Sequence, residues 1–304
     1  MQEHAERYYT WLNDVKRVSP HTLQAYRRDI NAFLIFCSDS GACSIDAVSS
    51  ADIRAFISQL HRKGIAPASI KRKLSSVRSW FTYLGEQRGC KHNPAVGVAA
   101  PKQARKLPRT MDVDQLGGLL DQSVETPIDI RDWAMMEVLY GAGLRLAELA
   151  SMNIEDIDLK SSLVNVTGKG NKQRILPMGK AAVNAVQRWL TVRSTMVSDA
   201  ESAVFVSSRG QRLSHRAIQQ RIKLIGDKFL RQKVHPHMLR HSFASHMLES
   251  SGDLRAVQEM LGHENLSTTQ VYTHLDYQHL AKVYDQSHPR AQRKPSEDEA
   301  TGTK

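Results

Sequence analysis

Three motifs decide the fold of the C-terminal half: His237-Met-Leu-Arg240, Leu261-Gly-His263 and Val271-Tyr272-Thr-His274. A proline directly before the first motif marks the first turn of a helix. His237 and Arg240 are three positions apart, so they lie on neighbouring parts of one helix face. An arginine can place a planar fork on two phosphate oxygens, and a helix N-terminus favours an anion. The stretch therefore predicts a helix with an anion-binding first turn.

Tyr272 is a candidate nucleophile. A tyrosine hydroxyl has an ordinary pKa near 10, so attack requires nearby cations and a group that accepts its proton. His237 could relay that proton, because the ordinary pKa of histidine is near neutral. The alternative for Tyr272 is a half-buried aromatic side chain at a helix edge. A metal site at His237 and His241 is a second alternative, but the glutamate of the metalloprotease motif is missing.

The charge composition favours a polyanionic partner, and the alternative is a soluble basic protein without one. The chain of 304 residues has a formal net charge of +11, and residues 1–104 hold 15 Lys/Arg against 8 Asp/Glu. The three cysteines, at positions 37, 43 and 90, lack the paired spacing of a zinc site and suit a reducing compartment. The start of the chain has no apolar signal region, and no stretch approaches the ~18 apolar residues of a membrane span. We therefore expect a cytoplasmic protein without membrane insertion and without a metal.

The sequence predicts a helical N-terminal domain over residues 1–92. Helices are expected at 2–16, from Ser19-Pro20 onward, from Ser49 or Ser50 to Gly64, and from Pro67 to about 85–89. Residues 93–109 contain three prolines and four cationic residues, which is typical of an exposed basic linker. This linker could track a phosphate backbone or be a plain tether.

A second domain is predicted over residues 110–288, mainly α with a small β-sheet. Strands are expected at 163–166 and 173–176, joined by a hairpin turn, and a short strand near 203–206. Helices are expected at 112–122, 127–142, 180–194, 214–231, 236–250, 253–262 and 276–285, with a short helix after Arg145. The polar tail, 289–304, is expected to be disordered.

Two further motifs precede the first helix motif. Gly141-Ala-Gly-Leu-Arg145 loosely matches a dinucleotide-binding fingerprint, but a helix instead of a strand is predicted before it. Glu148, one turn after Arg145, could orient its guanidinium group or form a surface ion pair. Lys169 lies in the predicted hairpin turn, where a lysine is usually just solvated; Lys172 in the same turn is the competing candidate for any functional role.

The complete set resembles that of the tyrosine site-specific recombinases of the phage integrase family, and in particular their Xer branch. The residues that carry this resemblance are, in chain order, Arg145, Lys169, His237, Arg240, His263 and Tyr272. The stretch from Ser19 to Asp29 is similar to the start of the family's core-binding domain. The resemblance implies a two-domain clamp on DNA, with a helical core-binding domain and a mixed α/β catalytic domain.

The resemblance also implies a reaction without cofactors. Tyr272 would attack a DNA phosphate and form a 3′-phosphotyrosyl link, while Lys169 would protonate the departing 5′ oxygen. Arg145 and Arg240 would be the two catalytic arginines. His263 would donate a hydrogen bond to a nonbridging oxygen; its alternative is a histidine that caps the preceding helix.

Partners follow from the resemblance as well. These are double-stranded DNA, a XerD-like recombinase in a heterotetrameric synapse at a dif-like site, and an FtsK-like translocase as regulator. The protein would then be nucleoid-associated and resolve chromosome dimers. The helix at 276–285 would dock on a neighbouring protomer.

Candidate DNA contacts lie on two predicted helices; each group could instead be a solvated helix face. They are Lys71, Arg72 and Lys73 in the first domain, and His215, Arg216 and Gln220 in the second. Other functions remain open: a phage- or plasmid-type integrase, a type IB topoisomerase, or a non-catalytic DNA-binding module.

Overall fold

The computed structural model describes residues 1–41, 44–88, 92–102, 110–168, 172–197, 201–262 and 274–292, without the side chains of 88, 274–279 and 292. The chain divides into two units, Met1–Lys106 and Leu107–Lys304, and each contains its own core of buried apolar side chains. Most of the described residues are helical, and a three-stranded sheet lies in the second unit. The predicted fold class, mainly α with a small sheet in the C-terminal domain, is confirmed.

The described residues of the N-terminal unit form four α-helices: α1 (Gln2–Asp14), α2 (Pro20–Asp39), α3 (Ser50–Arg62) and α4 (Pro67–Arg88). The predicted starts of α2 and α3 have a local cause. The Ser19 side chain accepts a hydrogen bond from the Thr22 backbone, and Ser49 and Asp52 form a reciprocal cap. Apolar faces of all four helices meet in a core around Tyr8, Phe33, Phe56 and Trp80.

The start of the predicted linker differs from the expectation of an exposed chain. Ala95 and Val98 are buried in the N-terminal core. Arg78 on α4 fixes this segment, since its Nε donates to the Ala95 carbonyl at 3.2 Å and its Nη2 to the Val98 carbonyl at 3.0 Å. The described residues from 93 to 98 therefore pack with the first unit, and the linker role of residues 93–109 stays a prediction.

The helices of the C-terminal unit surround one buried helix. They are α5 (Val113–Leu120), α6 (Pro127–Gly141), α7 (Leu146–Ser151), α8 (Lys180–Arg193), α9 (His215–Ile225), α10 (Pro236–Ser251), α11 (Leu254–Leu261), α12 (His274–Ser287) and α13 (Pro289–Gln292). Every residue of α6 from Ile130 to Gly141 is buried, and α6 packs against α8 and α10. The C-terminal end of α6 therefore holds the following turn firmly in place.

The sheet consists of β1 (Ile157–Asp158), β2 (Leu163–Thr167) and β3 (Gln173–Pro177), all antiparallel and in sequence order. The predicted hairpin of β2 and β3 is present, with Asn165 opposite Ile175. The two-residue β1 was not predicted. Instead of the expected strand at 203–206, single bridges join Ala203 to Asn153 and Val206 to Arg212.

The helix predicted over 214–231 changes its winding before it ends. After α9, residues Gly226–Leu230 form one π-helical turn, which ends at Arg231 with a φ of 50°. The chain passes so close to Gly226 that a Cβ atom there would lie 2.5 Å from Cγ2 of Val234. Glycine at this position therefore permits the close approach of the following loop.

The C-terminal segment packs against its own unit in the single chain. Leu280 and Tyr284 of α12 are buried, and the Tyr284 hydroxyl donates to the Gly141 carbonyl at 2.7 Å. Arg290 pairs with Glu137 and with Asp121, the latter at 2.8 Å. Residues 289–292, the start of the tail predicted to be disordered, form α13, and the rest of that tail, 293–304, lies outside the described residues. Docking of this segment on a neighbouring protomer stays a prediction.

Among the described helices, none has both the length and the apolar composition needed to cross a membrane.

Candidate active site

The turn after α6 brings the first arginine motif against α10. Gly143 has a φ of +60°, and a Cβ atom there would lie 2.4 Å from Cδ1 of Phe243. Only glycine fits such a backbone this close to an aromatic ring without displacing it. The close approach lets Nη1 of Arg240 donate to the Gly143 carbonyl at 2.6 Å. The turn also continues into Arg145, the N-terminal flanking residue of α7.

Glu148 forms the centre of a cluster of three arginines. Its side chain is 2% exposed. Oε1 of Glu148 accepts from Nη1 of Arg145 at 2.9 Å, and Oε2 accepts from the Arg145 backbone N–H at 2.8 Å. Arg174 adds a two-pronged contact with both carboxylate oxygens at 2.9 Å, and Nη1 of Arg240 lies 4.0 Å from Oε2. Glu148 therefore orients Arg145, as the sequence suggested, and holds Arg174 as well.

The same arginines bind the last carbonyl groups of α11. Nε of Arg174 donates to Met260 at 3.2 Å, Nη2 of Arg240 to Leu261 at 2.5 Å, and Nη2 of Arg145 to Gly262 at 3.0 Å. The last carbonyls of a helix have no partner within it, and the C-terminal end of a helix favours cations. Strand β3, helix α10 and the turn before α7 are thus joined to the end of α11, directly before the segment that contains His263 and Tyr272.

Two pKa shifts reflect this environment. Burial raises the pKa of the Glu148 carboxyl, but the hydrogen bonds and charge of Arg174 and the hydrogen bonds from Arg145 outweigh it, so the pKa lies below its usual range. Burial and the charge of Arg145 lower the pKa of Arg240 to about 10. Both groups are therefore charged at neutral pH, and three positive charges face one negative charge.

Arg145 has the most exposed side chain of the three arginines. The Arg145 side chain is 37% exposed, whereas those of Arg174 and Arg240 are 7% and 11% exposed. Each η nitrogen of an arginine carries two N–H groups, and the bonds to Gly143 and Leu261 use one on each η nitrogen of Arg240. A phosphate could therefore be held by Arg145 with support from Arg240.

His237 lies exposed in the first turn of α10, one turn before Arg240. The preceding residue, Pro236, fits the first helical position, and the ring of His235 caps the helix by accepting from the Met238 backbone at 3.1 Å. His246, further along α10, is buried, and its Nδ1 is 2.9 Å from the Tyr140 hydroxyl. The two histidines thus occupy different environments on one helix.

Three of the predicted site residues, Lys169, His263 and Tyr272, lie outside the described residues. The ends of the hairpin that carries Lys169 are described: the Gly168 backbone N–H donates to the Lys172 carbonyl at 2.7 Å. Lys172 itself is exposed. The structure thus brings together Arg145 and Arg240, places His237 nearby on the same helix as Arg240, and leaves the other three assignments as predictions.

Sequence reasoning missed Arg174. The signal was present, because strand alternation in β3 points Arg174 and Leu176 inward while Gln173 and Ile175 point outward. A charged residue at an inward position is buried only with partners, so it indicates a buried carboxylate nearby. The dinucleotide alternative fails, because Gly141 ends helix α6 and Gly143 follows it, so that a helix and not a strand precedes the motif.

Some of the candidate DNA-contacting side chains are exposed, and others are held in ion pairs within the protein. His215, Arg216 and Gln220 are exposed on α9, and Lys71 is exposed on α4. Arg72 and Lys73 both pair with Asp29, a fully buried carboxylate on α2, and Nζ of Lys73 lies 3.1 Å from it. These two cations are held in place, although nearly half of the Arg72 side chain remains exposed.

Comparison with known proteins gives matches over both units. Residues 109–279 match the model of the phage integrase family, and residues 5–88 match the phage integrase N-terminal SAM-like domain. The chain is 48% identical over 300 residues to a tyrosine recombinase XerC of Pseudomonas syringae pv. tomato, covering 98% of this chain and all of the relative. It is 50% identical over 294 residues to the XerC of Pseudomonas fluorescens, covering 96% of this chain and 98% of the relative.

Solved structures share the fold at lower identity. The Tn1549 transposon integrase in complex with transposon end DNA has a TM-score of 0.71 at 17% identity, covering 98% of this chain and 96% of that chain. The XerH recombinase in a post-cleavage complex with difH DNA has a TM-score of 0.69 at 22% identity, covering 92% and 83%. At this identity the similarity concerns the fold alone.

Proposed function

Because the chain belongs to the phage integrase family of tyrosine recombinases, enzymes that cut and rejoin DNA, we propose that Arg145 and Arg240 hold the scissile phosphate while Tyr272 attacks it. The Tyr272 oxygen forms a bond to phosphorus, and the bond to the 5′ oxygen breaks. The product is a 3′-phosphotyrosyl link and a free 5′ hydroxyl. Attack by the 5′ hydroxyl of a partner duplex reverses the step, so the energy of the broken bond is conserved.

The remaining predicted residues move protons or bear charge. His237 accepts the proton of the Tyr272 hydroxyl, and Lys169 donates a proton to the departing 5′ oxygen. His263 donates a hydrogen bond to a nonbridging oxygen as negative charge develops. Removal of one such donor typically slows an enzyme by about 10²–10³-fold. No step of this scheme requires a metal or a nucleotide.

One observation carries the proposal. The carbonyls of Met260, Leu261 and Gly262 are each bound by an arginine of the cluster. The very next residue in the chain is His263, and Tyr272 follows nine positions later. The two proposed phosphate-binding arginines therefore also fix the start of the segment that carries the proposed nucleophile. This arrangement supports a shared site for the phosphate and the tyrosine.

The proposed substrate is double-stranded DNA at a dif-like site, cut together with a XerD-like recombinase in a heterotetrameric synapse. Near-complete coverage of relatives named XerC supports this finer proposal. An FtsK-like translocase would regulate the synapse, and resolution of chromosome dimers would be its outcome. Such an enzyme would be nucleoid-associated.

DNA contacts are proposed on both units. Lys71, with Arg72 and Lys73 held by Asp29, would contact DNA from the first unit. His215, Arg216 and Gln220 would contact base edges or phosphates from the second. Phosphate contacts release counterions, so affinity should fall steeply as salt concentration rises.

Covalent trapping in the native cell tests this function. DNA that stays linked to the protein after denaturation is isolated and sequenced. We expect reads concentrated at one short chromosomal site, and exchange of strands between two copies of that site when the partner recombinase is added. Reads spread over the chromosome, or relaxation of supercoils without strand exchange, would contradict the proposed role and favour a topoisomerase.

A further inference from the structure

Arg174 is a buried cation at a strand position where the sequence pattern calls for an apolar side chain. It lies on β3 directly opposite Val166 of β2, and its side chain is 7% exposed. A buried charge is costly unless it is paired and hydrogen-bonded. A guanidinium at this position therefore requires partners for its charge and for its N–H groups.

All three nitrogens of the Arg174 guanidinium are used. Nη1 and Nη2 donate to the two oxygens of Glu148 at 2.9 Å, and Nε donates to the Met260 carbonyl at 3.2 Å. A planar fork is needed for this geometry, and lysine cannot reproduce it. One side chain thereby joins the hairpin strand β3, the start of helix α7 and the end of helix α11.

Two glycines fit closely around this guanidinium. A Cβ atom at Gly262 would lie 3.2 Å from Cζ of Arg174, and the backbone there has a φ of +62°. A Cβ atom at Gly168 would lie 3.5 Å from Nη1 of Arg174. Gly168 directly precedes Lys169, and Gly262 directly precedes His263. Arg174 thus contacts the chain immediately before two proposed catalytic residues.

The charge of Arg174 matters to the neighbouring arginines. Glu148 contacts Arg145 at 2.9 Å and lies 4.0 Å from Arg240. With Arg174 absent, one carboxylate would face the two proposed phosphate-binding arginines and offset half of their charge. With Arg174 present, the cluster keeps two net positive charges, which suits a phosphate that gains charge as the tyrosine attacks.

We propose that Arg174 is a positioning residue for DNA cleavage. Its positive charge neutralises the Glu148 carboxylate, and its hydrogen bonds tie the lysine-bearing hairpin to the cluster of Arg145 and Arg240. This inference rests on the proposed function of that arginine pair. Arg174 acts through its neighbours and does not contact the DNA phosphate.

The test compares Arg174→Met with a matched buried arginine. Arg131 is 3% exposed, pairs with Asp132 at 2.6 Å and donates to the Val206 carbonyl at 2.9 Å, so Arg131→Met reports the cost of losing a buried arginine alone. Covalent adduct formation is measured on a nicked suicide substrate, with thermal stability and DNA affinity measured in parallel. Arg174→Met should slow adduct formation by about 10- to 100-fold, by analogy with the loss of residues that orient the ligands of a metal site. Arg131→Met should lower stability with little effect on the rate.

A second substrate separates electrostatics from structure. A methylphosphonate at the scissile position lacks one nonbridging negative charge, so it depends less on the positive potential of the cluster. The loss caused by Arg174→Met should be clearly smaller on this substrate than on the phosphodiester, and the loss that remains comes from the broken tie between the hairpin and the two arginines. Adding Glu148→Gln to Arg174→Met removes the unmatched carboxylate and should recover part of the rate on the ordinary phosphodiester.

Equal losses for Arg174→Met on both substrates, or a rate like that of Arg131→Met, would overturn the inference. Failure of the proposed function looks different, because the wild-type chain itself would then form no adduct on either substrate.

Discussion

Alanine at position 143 should destabilise the C-terminal unit and slow DNA cleavage together. Gly143 has a φ of +60°, and a Cβ atom would lie 2.4 Å from Cδ1 and 2.6 Å from Cε1 of Phe243. The left-handed backbone alone costs an alanine about 1–2 kcal/mol. Overpacking against the ring adds about 1–3 kcal/mol. The free energy of unfolding should therefore fall by about 2–5 kcal/mol.

Gly252 is a matched control for the cost of placing alanine in a left-handed backbone conformation. It has a φ of +65° and no atom within 4 Å of a Cβ position. Gly252→Ala should therefore cost only the backbone term, about 1–2 kcal/mol. In scanning calorimetry each kcal/mol corresponds to about 2–4 °C in the Tm of a domain of this size. The difference between the two variants isolates the contact with Phe243.

Cleavage should distinguish the variants more sharply than stability. The Gly143 carbonyl accepts from Arg240 at 2.6 Å, so a shift of this turn moves a proposed phosphate ligand. Measured below the Tm of both variants, adduct formation should be slower in Gly143→Ala than in Gly252→Ala by about tenfold or more. Equal Tm values and equal cleavage rates would refute the close-packed turn as the support of Arg240.

Three further predictions concern other parts of the chain. Lys169→Ala should slow cleavage of an ordinary substrate but have little effect on a 5′-bridging phosphorothioate, whose thiolate leaves without a proton; equal losses would move the acid role to Lys172. Arg216→Ala should weaken DNA binding or change site preference in a binding assay, and no change in either would remove it from the interface. His288 is fully buried, and burial lowers its pKa to about 3. As the pH falls below 6.5, His288 takes up a proton in the unfolded chain but not in the folded one. The free energy of unfolding should therefore fall, by about 2 kcal/mol at pH 5. His288→Phe should flatten the dependence of Tm on pH over that range, and an unchanged slope would contradict this assignment.

Much of the fold followed from local signals. Ser19 and Ser49 cap helices, proline begins α2, α4, α6 and α10, and alternation defines β2 and β3. These features depend on neighbouring residues only. Helix α13 depends on distant partners, Asp121 and Glu137, and the π-helical turn at Gly226–Leu230 is accompanied by a close approach of Val234 in the following loop. No local pattern encodes such contacts.

The candidate site likewise contains residues that the sequence identified and one, Arg174, whose role depends on distant contacts. His237 and Arg240 were identified from their spacing on one helix, and Arg145 from the resemblance to the family. Arg174 acts through Glu148 and the Met260 carbonyl, which are 26 and 86 positions away in sequence. Its inward position on β3 was the available clue, but its partners became visible only when the three elements were brought together.

Covalent linkage of Tyr272 to DNA, at a phosphate held by Arg145 and Arg240, is the step on which the proposed function depends. The most direct measurement compares wild-type protein with Tyr272→Phe on a DNA substrate nicked beside the cleavage point, which traps the cleaved state. The wild-type chain should give a protein–DNA adduct that survives denaturation, linked through the 3′ phosphate. The phenylalanine variant loses one hydroxyl and little volume, so it should bind the same DNA with similar affinity and give no adduct. An adduct formed by the phenylalanine variant would contradict the claim.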